Sequence, residues 1–148
     1  PEYHTLFGAV RVSRDLSDMA RALIAESMLA SHRADDEYLE NVEAITPLKV
    51  GGKIWTSEML GSLSKVAVLN KLVGRCDPGK TLPLLIRHYL SLNGKFVCFS
   101  VNTEFNDSLD GLVLVDMRKM PVRYLSRYMG KENAKSFLSN WRNKCTQS

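Results

Sequence analysis

The chain is poor in cysteine. Its three thiols, Cys76, Cys98 and Cys145, stand far apart, and no C-x-x-C pair occurs among its 148 residues. That spacing removes the common zinc and redox motifs, so no metal ligand set is expected. It also suits a reducing, cytoplasmic setting. No apolar run approaches the roughly 18 residues that a membrane-spanning helix needs, and no secretory leader opens the sequence. There is no internal repeat and no low-complexity tract. The histidines, His4, His32 and His88, form no Ser-His-Asp or Cys-His spacing. No nucleic-acid partner is expected. What is present is ordinary for a folded protein: 45% hydrophobic and 24% charged residues, with a net charge of +4. The mild excess of base fits a solvated surface, and equally an anionic partner such as a phosphate-bearing cofactor, an acidic carrier protein or a membrane surface.

Periodicity divides the chain into alternating elements. Leu6 to Val12 alternates as a short strand. Ser13, Asp15 or Ser17 then caps a helix running to about Ser31, with Leu16, Met19, Ala20, Leu23, Ile24 and Met28 on its apolar stripe and Arg14, Asp18, Arg21 and Glu26 off it. Residues 32–56 are irregular, with a short helix expected at Asp36 to Val42 and an edge strand at Leu48 to Val50 or Lys53 to Trp55. A second helix is expected from Ser57, or a cap at Thr56, to Val73, stopped by Gly74 in a left-handed conformation. A third begins near Leu82 with Pro83 in its first turn, faces Leu84, Leu85, His88, Tyr89 and Leu92 inward, and ends at Asn93-Gly94.

Lys95 to Asn102 is apolar on both faces, which predicts an interior strand covered by helices. Phe96, Cys98 and Ser100 are expected on one face, and Val97, Phe99 and Val101 on the other. A polar loop follows to Asp110, with Asp110 as a turn former beside Gly111. Leu112 to Val115 is a second doubly buried strand, ended by Asp116. Helices at Pro121 to Met129 and Glu132 to Asn143 close the chain.

The stretch Gly74-Arg75-Cys76-Asp77-Pro78-Gly79-Lys80-Thr81 satisfies the phosphate-loop pattern G-x-x-x-x-G-K-[ST]. Lys80 would reach the outer phosphates, and Thr81 and Asp116 a magnesium ion. Such a loop follows a buried strand, however, and the preceding residues have helical periodicity. Asp77, Pro78 and Pro83 also crowd or remove the donors that a phosphate requires.

Several blocks carry a different resemblance: Tyr3 with Leu6-Phe7-Gly8 and Val12-Ser13; Pro83-Leu84-Leu85 with Arg87, Tyr89-Leu90 and Leu92; Gly94; Phe99 with Val101; Phe105; Asp110 to Val113 with Val115-Asp116; Arg127 to Gly130; and Phe137-Leu138. With these the chain resembles the carboxyl-terminal part of bacterial acyltransferases of the GNAT superfamily. The group is the one that makes ornithine or glycine lipids, often labelled hemolysins. The resemblance implies transfer of a fatty acyl group from an acyl carrier protein or coenzyme A thioester to an amine, with no tightly bound cofactor. That chemistry needs a base for the amine and donors for the oxyanion. It also implies that the donor-binding half would precede Pro1, so the chain is expected to be a piece of a longer protein or a homo-oligomer that covers its opening strand.

Polar groups at strand ends are the catalytic candidates. Ser13 and Asp15 follow the first strand, where a helix N-terminus suits anionic groups. Asn102 and Glu104 follow the strand at 95–102, with Glu104 as a general base. His88 reads as a core histidine. The expectation is therefore one α/β (α+β) domain over 1–148: a small mixed sheet of three or four strands packed by four or five helices, half of a GNAT-like fold. It is expected in the cytoplasm or against the inner membrane surface. Two other functions compete: a non-catalytic binding module derived from that fold, and a phosphate-loop nucleotide-binding protein.

Overall fold

A run such as Leu112 to Val115, apolar on both faces, needs cover on both sides. In the computed structural model, which describes residues 3–54 and 65–145, that run lies in the middle strand of a three-stranded sheet. In chain order the elements are β1 (Thr5–Val12), α1 (Asp18–Ser31), α2 (Asp36–Leu39), β2 (Lys49–Val50), β3 (Lys53–Ile54), α3 (Val66–Cys76), α4 (Leu84–Ser91), β4 (Lys95–Asn102), β5 (Ser108–Asp116), α5 (Val122–Met129) and α6 (Lys131–Cys145), with a 3₁₀ turn at Thr103–Phe105. The order in the sheet is β1-β5-β4, and β2 and β3 form a separate hairpin. The fold is α+β. Among the described residues every ladder is antiparallel, and parallel pairing is confined to an isolated bridge between Arg33 and Phe96, so the sheet is not the mixed one expected.

One face of the sheet carries the main core. Val10, Val12, Phe96, Phe99, Leu109 and Val113 pack there against Ile24 and Met28 of α1, Leu69 and Val73 of α3, and Leu82 and Ile86. On the other face, Val97 and Leu114 lie beneath Ala34, Tyr38, Leu39 and Val42. A third cluster joins Leu92, Val115 and Met120 to Leu125, Ala134 and Phe137 of the closing helices.

The alternation expected for β4 fails at one point. The register slips between Phe96 and Cys98, a bulge that inserts Val97 and turns Phe99 to the face of Phe96. Their rings stack at 5.5 Å. Phe99 has room because its partner across the ladder is Gly111, where a Cβ would lie 2.5 Å from the Phe99 ring. Nor is β4 interior: it is an edge strand. Its outward groups are met by loops, with Phe96 N–H donating to His32 O (2.7 Å), Ala34 N–H to Phe96 O (2.9 Å) and Val101 N–H to Thr46 O (2.7 Å), which blunts the edge. The opposite edge, along β1, has no strand partner among the described residues.

The helices required further corrections. Ser17, not Ser13 or Asp15, caps α1. Met19 is exposed on it, whereas Arg21, expected outside, is buried, because its guanidinium reaches Asp107 O and Asp18 Oδ1, both at 2.6 Å. α2 ends at Leu39, and both candidate edge segments near 50 are used, one against the other. The expected start of the next helix at Thr56 or Ser57 lies outside the described residues. From Val66 it runs through Gly74 to Cys76, and Gly74 is not left-handed.

The phosphate-loop reading required a buried strand over 65–73. Those residues are helical from Val66, and Asp77-Pro78-Gly79 is a turn closed by Lys80 N–H to Asp77 O (3.0 Å). In α4 the inward residue is Ile86, while Leu84 and Leu85 are exposed. Leu82 enters the core first, its N–H donating to Asn70 Oδ1 at 2.7 Å. The inward stripe therefore runs Leu82, Ile86 and Tyr89.

Candidate functional site

The two ends of the sheet differ in chemistry. At one end, β1 turns into α1 and β4 turns into β5, which brings together all four residues singled out from the sequence. Ser13 Oγ accepts the Asp15 N–H at 3.1 Å within the turn, and both residues are exposed. Asn102, the last residue of β4, accepts the Glu104 N–H at 3.2 Å and donates to Asp110 Oδ2 at 2.8 Å. Glu104 is exposed on the 3₁₀ turn.

Binding these loops together is a charged cross-strand set. Asp110 is not a turn former but a residue of β5 opposite Arg11. Arg11 donates to both its oxygens, Nε to Oδ1 at 2.9 Å and Nη2 to Oδ2 at 3.2 Å. Ser108 Oγ adds a bond at 3.3 Å. The Arg11 bond, helped by Asn102 and Ser108 and opposed by burial, holds the Asp110 carboxyl below the usual carboxylate range. Arg11 also lies 4.2 Å over the Phe105 ring, and Arg14 pairs with Asp107. Arg11, Arg14 and Arg21 are thus all committed to carboxylates. The arrangement ties a hairpin down.

A concave site lies toward the opposite end, roughly 16 Å along β1, five residues of strand before Ser13. A cavity of about 300 Å³ opens there, lined by Leu6, Phe7 and Gly8 of β1, Tyr89 and Leu92 of α4, Val115 of β5, Met117 and Met120 after it, and Leu125, Tyr128 and Met129 of α5. Its size lies at the lower end of ordinary ligand cavities, and its walls are apolar as such sites are. Tyr89 comes close to Gly8: a Cβ there would lie 2.5 Å from its hydroxyl, the outer end of that side chain. The rim is polar. His88, read from the sequence as a core residue, is half-buried there with Nε2 3.1 Å from Tyr128 Oη. Tyr124 beside it is lowered from the usual phenol range by a bond from Ser91 and by Arg123 and Arg127.

Pattern reading missed this cavity as a site. A signal was present: three of the six methionines fall within 117–129, and clustered methionines mark adaptable apolar surface. No family model matches the chain, and no curated protein or solved structure matches it.

Proposed function

We propose that the chain is the acyl-holding part of a fatty-acyl N-acyltransferase of the GNAT-like, ornithine- or glycine-lipid type, working in the cytoplasm on an acyl carrier protein or coenzyme A thioester, with the fatty chain in the cavity between β1, α4 and α5. One observation carries this reading. Eight of the eleven residues that line the cavity, Leu6, Phe7, Gly8, Tyr89, Leu92, Val115, Tyr128 and Met129, are among those on which the resemblance rests. An extended acyl chain asks for an apolar, unbranched volume with its polar end at the mouth, and the side chains here supply that environment.

A second reading, a non-catalytic acyl-binding module, is favoured by a separate observation. The polar side chains on the cavity wall are the phenols of Tyr89 and Tyr128, whereas Ser13, Asp15, Asn102 and Glu104 stand at the far end of the sheet. A general base must lie within hydrogen-bond reach of the amine it serves.

Titration of the purified chain with a fluorescent long-chain fatty acid tests the site. Saturable binding is expected, weakened by about tenfold or more in Met129→Trp, which fills the volume of roughly two buried methylenes' worth of contact. Absence of saturable binding, or binding unchanged by the filling variant, overturns the proposal. Supplying long-chain acyl carrier protein and an amino acid then separates the two readings: N-acyl product marks the enzyme, and binding without product marks the module.

A further inference from the structure

Cations and exposed apolar side chains gather around the cavity mouth. α4 carries Arg87 and His88, α5 carries Arg123 and Arg127, and neither helix contains an aspartate or glutamate. Among the described residues, no salt bridge engages Arg87, Arg123 or Arg127, whereas five other arginines are paired with carboxylates. The two helices meet along this seam through His88 and Tyr128. On the same surface, side chains that a globular core would bury are left outside. Leu84 is 74% exposed, Val122 57% and Tyr128 61%. Helical spacing places them at the mouth: Leu84 is one turn from His88, Leu85 one turn from the cavity residue Tyr89, and Val122 is on the stripe of Leu125 and Met129. Phe7, a lining residue on β1, is 62% exposed beside them.

The geometry points to the α4–α5 face as a docking surface for an anionic phospholipid bilayer, with the cavity mouth turned toward the lipid. Charge complementarity selects this occupant. Apolar side chains beneath a fringe of arginines that no carboxylate neutralises among the described residues, Arg123 resting 4.8 Å over the Tyr124 ring, match an interface in which acyl chains lie below phosphates. A cavity that opens there receives or delivers a chain without exposing it to water. The inference extends the acyl reading of the cavity, but its evidence, the surface charge and the exposed side chains, is separate.

Co-sedimentation of the purified chain with vesicles tests it. Vesicles of phosphatidylcholine alone should leave the protein in the supernatant. Adding phosphatidylglycerol should bring it down, and raised salt should release it, since charges at a surface are screened. The triple variant R87E/R123E/R127E should lose about a hundredfold in partition, each cation at an anionic surface being worth about a factor of five. The charge-reversal control K49E/K53E, on the β2–β3 hairpin away from the cavity, should bind like the parent. Circular dichroism checks that each variant is folded, and L84S/L85S gives a charge-neutral test of the same face, expected to weaken binding about tenfold. Equal loss in the triple variant and the control, or no binding to phosphatidylglycerol vesicles at low salt, overturns the inference. So does binding to an acidic carrier protein in place of vesicles. The fluorescent fatty-acid titration needs no bilayer, so failure of docking with that binding intact removes only the membrane surface.

Discussion

Two glycines show how single residues set the packing. Gly111 faces Phe99 across the β4–β5 ladder, and Gly8 faces the Tyr89 hydroxyl. Phe99 is buried in a stack with Phe96, so its ring cannot swing aside without vacating core volume. Gly111→Ala is expected to lower stability by about 1–3 kcal/mol, the usual cost of overpacking, with the loss read from the midpoint of urea unfolding. Gly8 is different in kind: its neighbour is the phenol end of Tyr89, on a cavity wall with space beyond. The residues read as chemically active from the sequence are turn and strand-end residues here. Asn102 spends its amide on Asp110 and Glu104; His88, read as a core histidine, instead meets Tyr128 at the cavity rim. The type of residue was informative in each case, but its partner lay elsewhere in the chain.

At the scale of elements, the sequence marked positions well and faces poorly. β4 was read at Lys95–Asn102, and α5 stops before Gly130, whose φ of 83° is the left-handed backbone that glycine accepts. The same reading places Tyr89 and Leu92 inward, as they are, but also Leu84 and Leu85, which are exposed, and it places Arg21 outside, since periodicity alone does not say which of two adjacent stripes meets the sheet. Connections between elements decide such matters. The start of α1 is an example: Ser17 accepts the Ala20 N–H at 3.2 Å, while its own N–H and Oγ both donate to Asp77 Oδ2 at 2.9 Å. One carboxylate from the turn after α3 thus pins the N-terminus of α1. Asp77→Ala is expected to cost about 1–2 kcal/mol in chemical unfolding, and Asp77→Asn, which keeps an acceptor oxygen, about half of that or less.

For the whole molecule, two lowered carboxylates link stability to pH. Asp110 is held down first by its Arg11 bonds. Burial raises Asp116, but side-chain and backbone bonds from Arg118 outweigh it and leave its pKa lowered. A carboxylate whose folded pKa lies below its unfolded one stabilises the fold above the unfolded value. That contribution is lost as pH falls through the folded value. The thermal midpoint should therefore hold steady down to about pH 4, the unfolded carboxylate range, and drop below it. In Asp110→Asn the acid-induced drop should be shallower. A variant whose drop matches the parent's would show that Asp110 does not carry the linkage. The charges of the whole surface also have a direction. Five carboxylates are paired with Arg11, Arg14, Arg21, Arg33 and Arg118, whereas Arg87, Arg123 and Arg127 gather on the α4–α5 face around the cavity.

Composition and local pattern determined the α+β class, the positions of most helices and strands, and the turns at Asn93-Gly94 and Gly130, because these depend on spacing and backbone preference within a few residues. They could not determine which strand lies in the middle, where a bulge reverses a face, or that β1, α4 and α5 enclose one cavity. Those outcomes depend on contacts between residues as far apart as Gly8 and Tyr89, and on which apolar surface each element finds to cover it. Only the assembled chain decides that.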